Sequence, residues 1–232
     1  MKVAVHQPQY LPWLGYFDKI MTCDTFVFLD CVRYKHREFQ NRNRIRTPKG
    51  WMWLTVPIIN RRQHEQIISE TKINNTFAWQ RKHLHALKAY YEKCPYFDKY
   101  FSFFQDIYSR KWDKLIELNV YIINYLNSQF KIKTKIIFES DIGTSTTGTE
   151  RIIEICKKIN ATSYVSGIGG KNYLRSNRFQ EENISLEYKD FKHPIYKQLY
   201  SSNDNDFQMH MSAIDLLFNY GEKSRDFLTS KL

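Results

Sequence analysis

The opening of the chain constrains its fold more than any other segment, because a short apolar run leads through a proline-containing loop into an amphipathic helix. Val3 to Val5 predicts a short buried strand, and Pro8 and Pro12 exclude regular structure from the loop that follows. In an open parallel sheet, ligands bind beyond the carboxyl ends of the strands. The loop is therefore a candidate site, with polar and aromatic candidates His6, Gln7, Gln9, Tyr10 and Trp13.

A structural interpretation of the same loop stays open. The two prolines can simply stiffen a turn, Trp13 can anchor the core, and His6 can be a buried imidazole with satisfied hydrogen bonds.

Strand and helix patterns alternate along the rest of the chain, which is typical of an α/β protein. Thr147 to Glu150 fits a capping box at the start of a helix, and the apolar spacing over 77–93 and 113–127 predicts helices within a helical excursion at about 75–130. We predict a single α/β domain over 1–232, with a mostly parallel, doubly wound sheet of the nucleotidyltransferase or Rossmann type and a helical insertion. The predicted strands are 25–30, 51–58, 135–138, 163–166 and 184–188, with a terminal helix at 211–220.

Composition limits the partners without choosing among them. A net charge of +11 and a pI of about 9.4 suit nucleic acid, an anionic membrane surface or a phosphorylated substrate. The sequence shows neither a secretory signal nor an apolar run long enough to span a bilayer, so we expect a cytoplasmic protein without a membrane span. The four cysteines lack the spacing of metal ligands, and we expect no metal.

A glycine-containing segment after the strand at 163–166 is a second candidate site. Glycines let backbone N–H groups approach a phosphate, and Lys171 adds a positive charge. The spacing matches neither the Walker A motif nor the dinucleotide fingerprint, and an ordinary tight turn stays an alternative. The candidate residues are Ser166, Gly167, Gly169, Gly170, Lys171 and Tyr173.

Two further segments carry polar groups suited to binding or catalysis. The basic run at 33–49 is rich in arginine and amide side chains. This composition favours a surface that binds phosphate or carboxylate through paired hydrogen bonds over a solvated charged face. The candidate residues are Gln40, Asn41, Arg42, Asn43 and Arg44. Near the end of the chain, Asp215 lies in an apolar stretch and needs a partner, so His193 with Asp215 is a candidate base and orienting carboxylate, or equally a structural network. Tyr196, Gln198 and Asn219 accompany them.

Together these segments resemble the WbqC-like family of bacterial proteins. The resemblance rests on His6 to Trp13 with Gly15, the run 40–46 leading into 53–57, Ser166–Gly167 with 170–173, the segment 193–198, and 212–221. It implies a transferase of surface-polysaccharide (O-antigen, lipopolysaccharide) biosynthesis that moves an acyl or aminoacyl group onto a nucleotide-linked amino sugar. An activated acyl donor or a nucleotide, tRNA or another RNA would fit the positive charge. The cofactor and the oligomeric state stay unknown.

The opening segment also looks like the start of a nucleotidyltransferase fold, where a similar loop precedes a glycine–histidine pair that contacts nucleotide phosphates. Here Tyr16 follows Gly15 in place of that histidine, and His6 stands at the strand end instead. A nucleotidyltransferase or adenylate-forming enzyme is therefore one alternative, and an RNA-binding or noncatalytic module is another.

In the transferase hypothesis, each candidate has a role in one shared hollow. His6 acts as an acid or base or contacts phosphate, and His193 with Asp215 supplies a supporting or alternative base. The amide and aromatic groups of the first loop orient the sugar or the base. Phosphates are held by Arg42, Arg44 and Lys171.

Overall fold

A computed structural model describes residues 1–59, 66–203 and 206–229, and it shows an α/β protein. The strands are β1 (Lys2–His6), β2 (Thr25–Phe28), β3 (Arg42–Thr47), β4 (Gly50–Thr55), β5 (Lys135–Phe138), β6 (Ser163–Gly167) and β7 (Ser185–Lys189). The helices are α1 (Leu14–Met21), α2 (Trp79–Tyr91), α3 (Phe97–Ser109), α4 (Leu115–Gln129), α5 (Glu139–Ile142), α6 (Gly148–Lys158), α7 (Ser176–Glu181), α8 (Ile214–Tyr220) and α9 (Ser224–Leu228). Short 3-10 helices lie at Ile68–Glu70, Ile168–Asn172 and Gly221–Lys223.

The chain divides into two compact units, each built from several segments. Unit 1 comprises Met1–Pro8, Gly15–Val32 and Ile132–Lys192, and unit 2 comprises Gln9–Leu14, Arg33–Lys131 and His193–Leu232. The single-domain organisation stays a prediction beside this division.

Unit 1 contains a five-stranded sheet in the order β5-β2-β1-β6-β7, and neighbouring strands run parallel. The chain first builds outward from β1 to β2 and β5, and then returns to the other side of β1 for β6 and β7. The direction of winding therefore changes between β1 and β6, which is where open α/β sheets bind ligands. The predicted fold class, with its mostly parallel doubly wound sheet, is confirmed.

Apolar side chains cover both faces of this sheet. On one face, Val3, Val5 and Val27 pack with buried residues of α6 such as Ile155. On the other face, Tyr16 of α1 packs against Phe26 with ring centroids 5.6 Å apart. Because side chains alternate along a strand, His6 shares the α1 face with Ala4 rather than the α6 face.

Unit 2 combines the helices α2, α3 and α4 with the antiparallel hairpin β3–β4 and the last two helices. Phe218 of α8 lies at the centre of an aromatic cluster, with ring centroids 5.1 Å from Tyr91, 5.4 Å from Phe97 and 5.6 Å from Phe104. The sequence did not predict β3. Asn43 and Ile45 are buried, while Arg42 and Arg44 are only partly buried. Because arginine and asparagine dominate the strand, the basic composition of this run does not indicate a strand.

The helix α6 begins where the capping-box pattern placed it, but the predicted cap is wrong. Thr147 occupies the N-cap position without a side-chain hydrogen bond to the helix. Glu150 turns instead towards arginines, accepting from Arg175 at 2.8 Å and from Arg178 at 3.0 Å. These guanidinium groups compete successfully for the carboxylate that the capping box requires.

Across residues 1–59, 66–203 and 206–229, no helix combines the length and the apolar character needed to cross a bilayer.

Candidate functional site

His6 ends β1 at the point where the sheet changes its direction of winding. Its Nδ1 lies 3.1 Å from the Gln7 carbonyl oxygen, which also accepts a hydrogen bond from the Tyr16 hydroxyl at 3.1 Å. A carbonyl can only accept, so Nδ1 carries the hydrogen and Nε2 carries the lone pair. The Tyr16 ring meets the imidazole edge-on at 5.1 Å and fixes its plane. The strand end thus presents an oriented Nε2 atom that carries a lone pair.

Lys19 of α1 is the feature that sequence reasoning missed. Its Nζ donates to the Val5 carbonyl at 2.9 Å, at the end of β1. Burial lowers the pKa of Lys19 to about 8. Among the residues that the structure describes, no carboxylate pairs with this ammonium. Buried charges are ordinarily paired, so an ammonium with a backbone carbonyl as its printed partner is an unusual feature of unit 1.

His6 and Lys19 influence each other's charge. Burial is the main cause that lowers the pKa of His6 to about 3, and the neighbouring Lys19 ammonium adds to this effect. The imidazole is therefore neutral at physiological pH while most of the Lys19 population is protonated. A signal for Lys19 was present in the sequence, because it lies three residues after buried Tyr16 and hence near the inward face of α1.

The predicted glycine loop is a 3-10 helix that follows β6 directly. Gly170 has a packing requirement, since a Cβ atom there would lie 2.0 Å from Ser166 Oγ and 3.0 Å from Leu174 Cδ1. Gly167 and Gly169 have nothing within 4 Å of the corresponding position, so no packing contact explains them.

At the end of the same segment, two side chains are available to a ligand. Lys171 Nζ lies 5.5 Å from the centre of the Tyr188 ring, and Tyr173 is 67% exposed. Ser166 is buried, and its hydroxyl donates to the Gly167 carbonyl at 3.1 Å. Anion binding by this segment stays a prediction.

One group in unit 1 has the composition of a metal site. Asp30, Cys31 and Glu139 place potential ligand atoms within 4.8 Å of one another. Both carboxylates already have partners, because Asp30 accepts from the Ser140 N–H at 3.0 Å and Glu139 pairs with Arg151 at 3.3 Å. The group therefore fits a structural role in joining β2 to α5.

In unit 2, the first loop is held by buried hydrogen bonds. The Tyr10 hydroxyl lies 2.8 Å from His83 Nδ1 and 2.5 Å from the Tyr108 hydroxyl, and Tyr10 is fully buried. His83 Nε2 donates to the Thr55 carbonyl at 3.2 Å. Burial lowers the pKa of His83 to about 3, which keeps it neutral. In this state the hydroxyl of Tyr10 is used inside the fold rather than offered to a ligand.

Gln9 and Trp13 lie in the same loop. Gln9 is buried at 7% exposure, and its Oε1 has no hydrogen-bond partner among the described residues. Trp13 forms an isolated antiparallel β-bridge with Ser212, and its ring meets the His210 ring edge-on with centroids 5.1 Å apart. An unsatisfied buried amide oxygen is costly, and it makes Gln9 a better ligand candidate than Tyr10.

The amide side chains of the basic run form hydrogen bonds with the backbone around the β3–β4 hairpin. Gln40 Oε1 accepts from the Lys35 N–H at 2.9 Å, and Asn41 Nδ2 donates to the Val56 carbonyl at 2.8 Å. Asn43 is fully buried and donates to the Leu11 carbonyl at 2.7 Å. The structure thus assigns loop-holding bonds to these amides, while their predicted contact with substrate stays a prediction.

Arg42 and Arg44 point to the opposite face of the hairpin, where they lie over tryptophans. The Arg42 guanidinium is 4.2 Å from the centre of the Trp53 ring, and that of Arg44 is 5.1 Å from Trp51. This face is exposed enough that Trp51 keeps 42% of its surface accessible.

Asp215 and His193 both contact Tyr196, and their pairing as a base with an orienting carboxylate stays a prediction. Asp215 is fully buried and accepts from Tyr91 at 3.0 Å, Tyr196 at 2.8 Å and Gln198 at 2.9 Å. Burial raises the pKa of Asp215, and these three donors oppose the shift. The His193 ring stacks on the Tyr196 ring, with centroids 6.3 Å apart.

Two details complete this cluster. Burial lowers the pKa of His193, so the imidazole is neutral near pH 7. Asn219 Nδ2 donates to the Asp215 carbonyl at 2.7 Å, one turn earlier in α8. The hydrogen bonds of Asp215 connect α2, α8 and the segment before α8, and a catalytic role for His193 and Asp215 stays a prediction.

Within unit 1 the structure brings together His6, Gln7 and Lys19, and within unit 2 it brings Asp215 together with Tyr196 and Gln198. A single hollow shared by all of the candidate segments stays a prediction.

Comparison with known proteins gives consistent results over nearly the whole chain. The model of the WbqC-like protein family matches residues 7–227. An uncharacterized protein of Mycobacterium tuberculosis, Rv1507c, is 34% identical over 229 residues, which is 98% of this chain and 97% of that protein. No solved structure matches the chain.

Proposed function

The chain belongs to the WbqC-like protein family, and from this premise we propose that it is a transferase that moves an acyl or aminoacyl group onto a nucleotide-linked amino sugar. The product would serve the biosynthesis of a bacterial surface polysaccharide such as O-antigen. The site in unit 1 built on His6 and Lys19 would bind the nucleotide-linked substrate.

The observation that carries this proposal is the partly buried Lys19 ammonium at the end of β1, which donates to the Val5 carbonyl and has no carboxylate partner among the described residues. A diphosphate placed there would supply the counter-charge that the described residues do not supply, and it would do so at the position where doubly wound sheets bind nucleotides. Lys171, on the 3-10 helix after β6, adds a second positive charge at the neighbouring strand of the same sheet. The net charge of +11 is consistent with an anionic substrate.

His6 supplies the base that acyl transfer to an amine requires. The amine nitrogen forms a bond to the acyl carbon, its proton moves to His6 Nε2, and the bond from the acyl carbon to the leaving group breaks with its electron pair. In the free protein His6 is a weak base, with a pKa of about 3. A bound diphosphate would offset the Lys19 charge that disfavours the imidazolium, and so raise the pKa of His6 towards the working range of a general base.

Binding of nucleotides and nucleotide sugars, followed by isothermal calorimetry, tests the proposal. Lys19→Met should abolish diphosphate binding, while His6→Gln should keep binding and lose turnover. Lys157→Met is the matched control, because Lys157 lies in unit 1 on an exposed surface and pairs with Glu182 at 2.7 Å. Turnover is read as a mass increase of the amino sugar when acyl donors are supplied. Unchanged diphosphate affinity in Lys19→Met would exclude the proposed site.

An alternative function as a nucleotidyltransferase or adenylate-forming enzyme is favoured by one observation. Tyr16 occupies the position where the nucleotidyltransferase resemblance expects histidine, and the His6 imidazole lies 5.1 Å from its ring. An imidazole is therefore present near that position although it comes from β1. Release of pyrophosphate from ATP or CTP, lost in His6→Gln, would support this alternative over acyl transfer.

A further inference from the structure

The outer face of the β3–β4 hairpin carries a regular array of arginines and tryptophans that the proposed reaction does not use. Arg42, Arg44 and Arg46 alternate along β3, and their cross-strand partners on β4 include Trp53, opposite Arg44, and Trp51, opposite Arg46. Side chains two residues apart on a strand share a face and lie about 7 Å apart. That spacing is comparable with the separation of successive phosphates along a nucleic-acid strand.

Arg42 and Arg44 carry the available positive charge of this array, because Arg46 interacts electrostatically with Asp206 and Asp215. No carboxylate in the described part of the chain forms an ion pair with these three arginines. Arg46 is buried, and its guanidinium donates to the backbone carbonyls of Thr47 at 2.9 Å and Gly50 at 2.8 Å. Arg42 and Arg44 are only partly buried, and the Nε atom of each lacks a partner among the described residues. Each of these two guanidinium groups also donates one hydrogen bond to a backbone carbonyl, Arg42 to Arg37 and Arg44 to His210, and neither forms an ion pair among the described residues.

The aromatic part of the array is also accessible. Trp51 is 42% exposed, its ring lies 5.6 Å from that of Trp53, and Phe39 adds a third ring 5.9 Å from Trp53. Planar rings interleaved with positive charge match the way in which proteins bind single-stranded nucleic acid, by stacking bases and contacting phosphates. A polyanion without planar groups would have no use for the rings.

We propose that this hairpin face binds single-stranded RNA, with Trp51 stacking a base and Arg42 and Arg44 contacting phosphates. The charge complementarity and the exposed rings select this occupant. The site is separate in residues from the one proposed for the nucleotide-linked sugar, so either can be tested without the other.

Fluorescence anisotropy with labelled oligo(U) and oligo(A) of about 12 nucleotides tests the proposal. Trp51→Ala should weaken binding about tenfold, and Trp51→Phe should retain most of the affinity because it keeps a planar ring. Phe77→Ala is the matched control, since Phe77 is an exposed aromatic residue of unit 2 outside the array, at 56% exposure. It should bind as the wild type does.

The charged part of the site is read from the dependence of affinity on salt. Changing both Arg42 and Arg44 to Gln should reduce the slope of log affinity against log salt by about 1.4, as expected for two lost phosphate contacts on a single strand. Arg81→Gln, an exposed arginine of α2, should not reduce it beyond experimental error. Lys19→Met should leave RNA binding unchanged, which separates this proposal from the sugar-transfer proposal.

Several outcomes would overturn the proposal. It is wrong if the oligonucleotides do not bind, or if Trp51→Ala and Phe77→Ala have equal effects. It is also wrong if heparin or poly-glutamate binds with the same dependence on Trp51, because the surface would then recognise another polyanion or an acidic protein. Melting curves of every variant check folding, and the double arginine variant still decides the question if Trp51→Ala fails to fold.

Discussion

Replacing Lys19 by methionine should make the free protein more stable near neutral pH. The native pKa of Lys19 is about 8, below its usual value of 10.5, because burial disfavours the ammonium. A difference of 2.5 between those two values corresponds to about 3 kcal/mol of unfavourable free energy in the native state at pH 7. Methionine is of similar length and uncharged, so it removes this term. It also loses the hydrogen bond to Val5, which offsets about 1 kcal/mol. The expected net gain is about 2 kcal/mol.

The pH dependence of this gain is the sharper test. A lysine with a lowered native pKa binds its proton more weakly in the folded than in the unfolded state, so the unfavourable term is complete below about pH 8 and disappears as the pH rises towards 10.5. The stability advantage of Lys19→Met should therefore shrink by about 2 kcal/mol between about pH 7 and about pH 9.5. Urea unfolding of both proteins at the two pH values measures it.

Two results would refute this reasoning. If Lys19→Met is destabilised equally at both pH values, Lys19 is an ordinary structural residue and its charge is compensated. If the variant gains stability but still binds nucleotide diphosphates as the wild type does, the uncompensated charge exists and serves no anion.

Three further predictions, one of them with a control variant, test other parts of the structure. His83 has a pKa of about 3 in the folded protein, so as the pH falls the imidazole is protonated in the unfolded state before it is protonated in the folded state. Between about pH 7 and about pH 5, the free energy of unfolding of the wild type should therefore fall by about 2 kcal/mol more than that of His83→Gln, as measured by urea unfolding. Gly221→Ala should lower the stability of the folded protein by about 3 kcal/mol in thermal unfolding, because φ is +57° and a Cβ atom would lie 2.5 Å from the Tyr96 ring. The control Gly143→Ala, with φ of +70° and nothing within 4 Å of the new Cβ atom, should lower it by about 1 kcal/mol. Asp215→Asn should lose about 3 kcal/mol, because an amide cannot accept from all three donors, and equal stability of the variant would contradict the assigned network.

The sheet of unit 1 was predictable because its strands are short apolar runs followed by polar groups. The runs at 25–30, 135–138, 163–166 and 184–188 correspond to β2, β5, β6 and β7. By contrast, β3 was not predictable. Its residues are mainly arginine and asparagine, a composition that is typical of an exposed binding surface and not of a strand. The helical patterns at 77–93 and 113–127 gave α2 and α4 to within a few residues.

The candidate site was predictable only in part. His6 could be identified because the end of a buried strand is a recognisable position. Lys19 was missed, because one lysine on an amphipathic helix looks like an ordinary solvated residue, and its position three residues after Tyr16 was the only hint of its hydrogen bond to Val5. Asp215 was correctly singled out as a buried carboxylate, but sequence spacing cannot tell which of several distant donors reaches it.

The central position of β1 has a consequence for synthesis of the chain on the ribosome. β1 is synthesised before the other strands of its sheet, yet it lies between β2 and β6, and β6 begins only at Ser163. One side of β1 therefore exposes unpaired backbone groups throughout the translation of the intervening segment. The unpaired edge of β1 can form hydrogen bonds with other chains until β6 is made. We therefore expect chaperones to bind this protein during its synthesis.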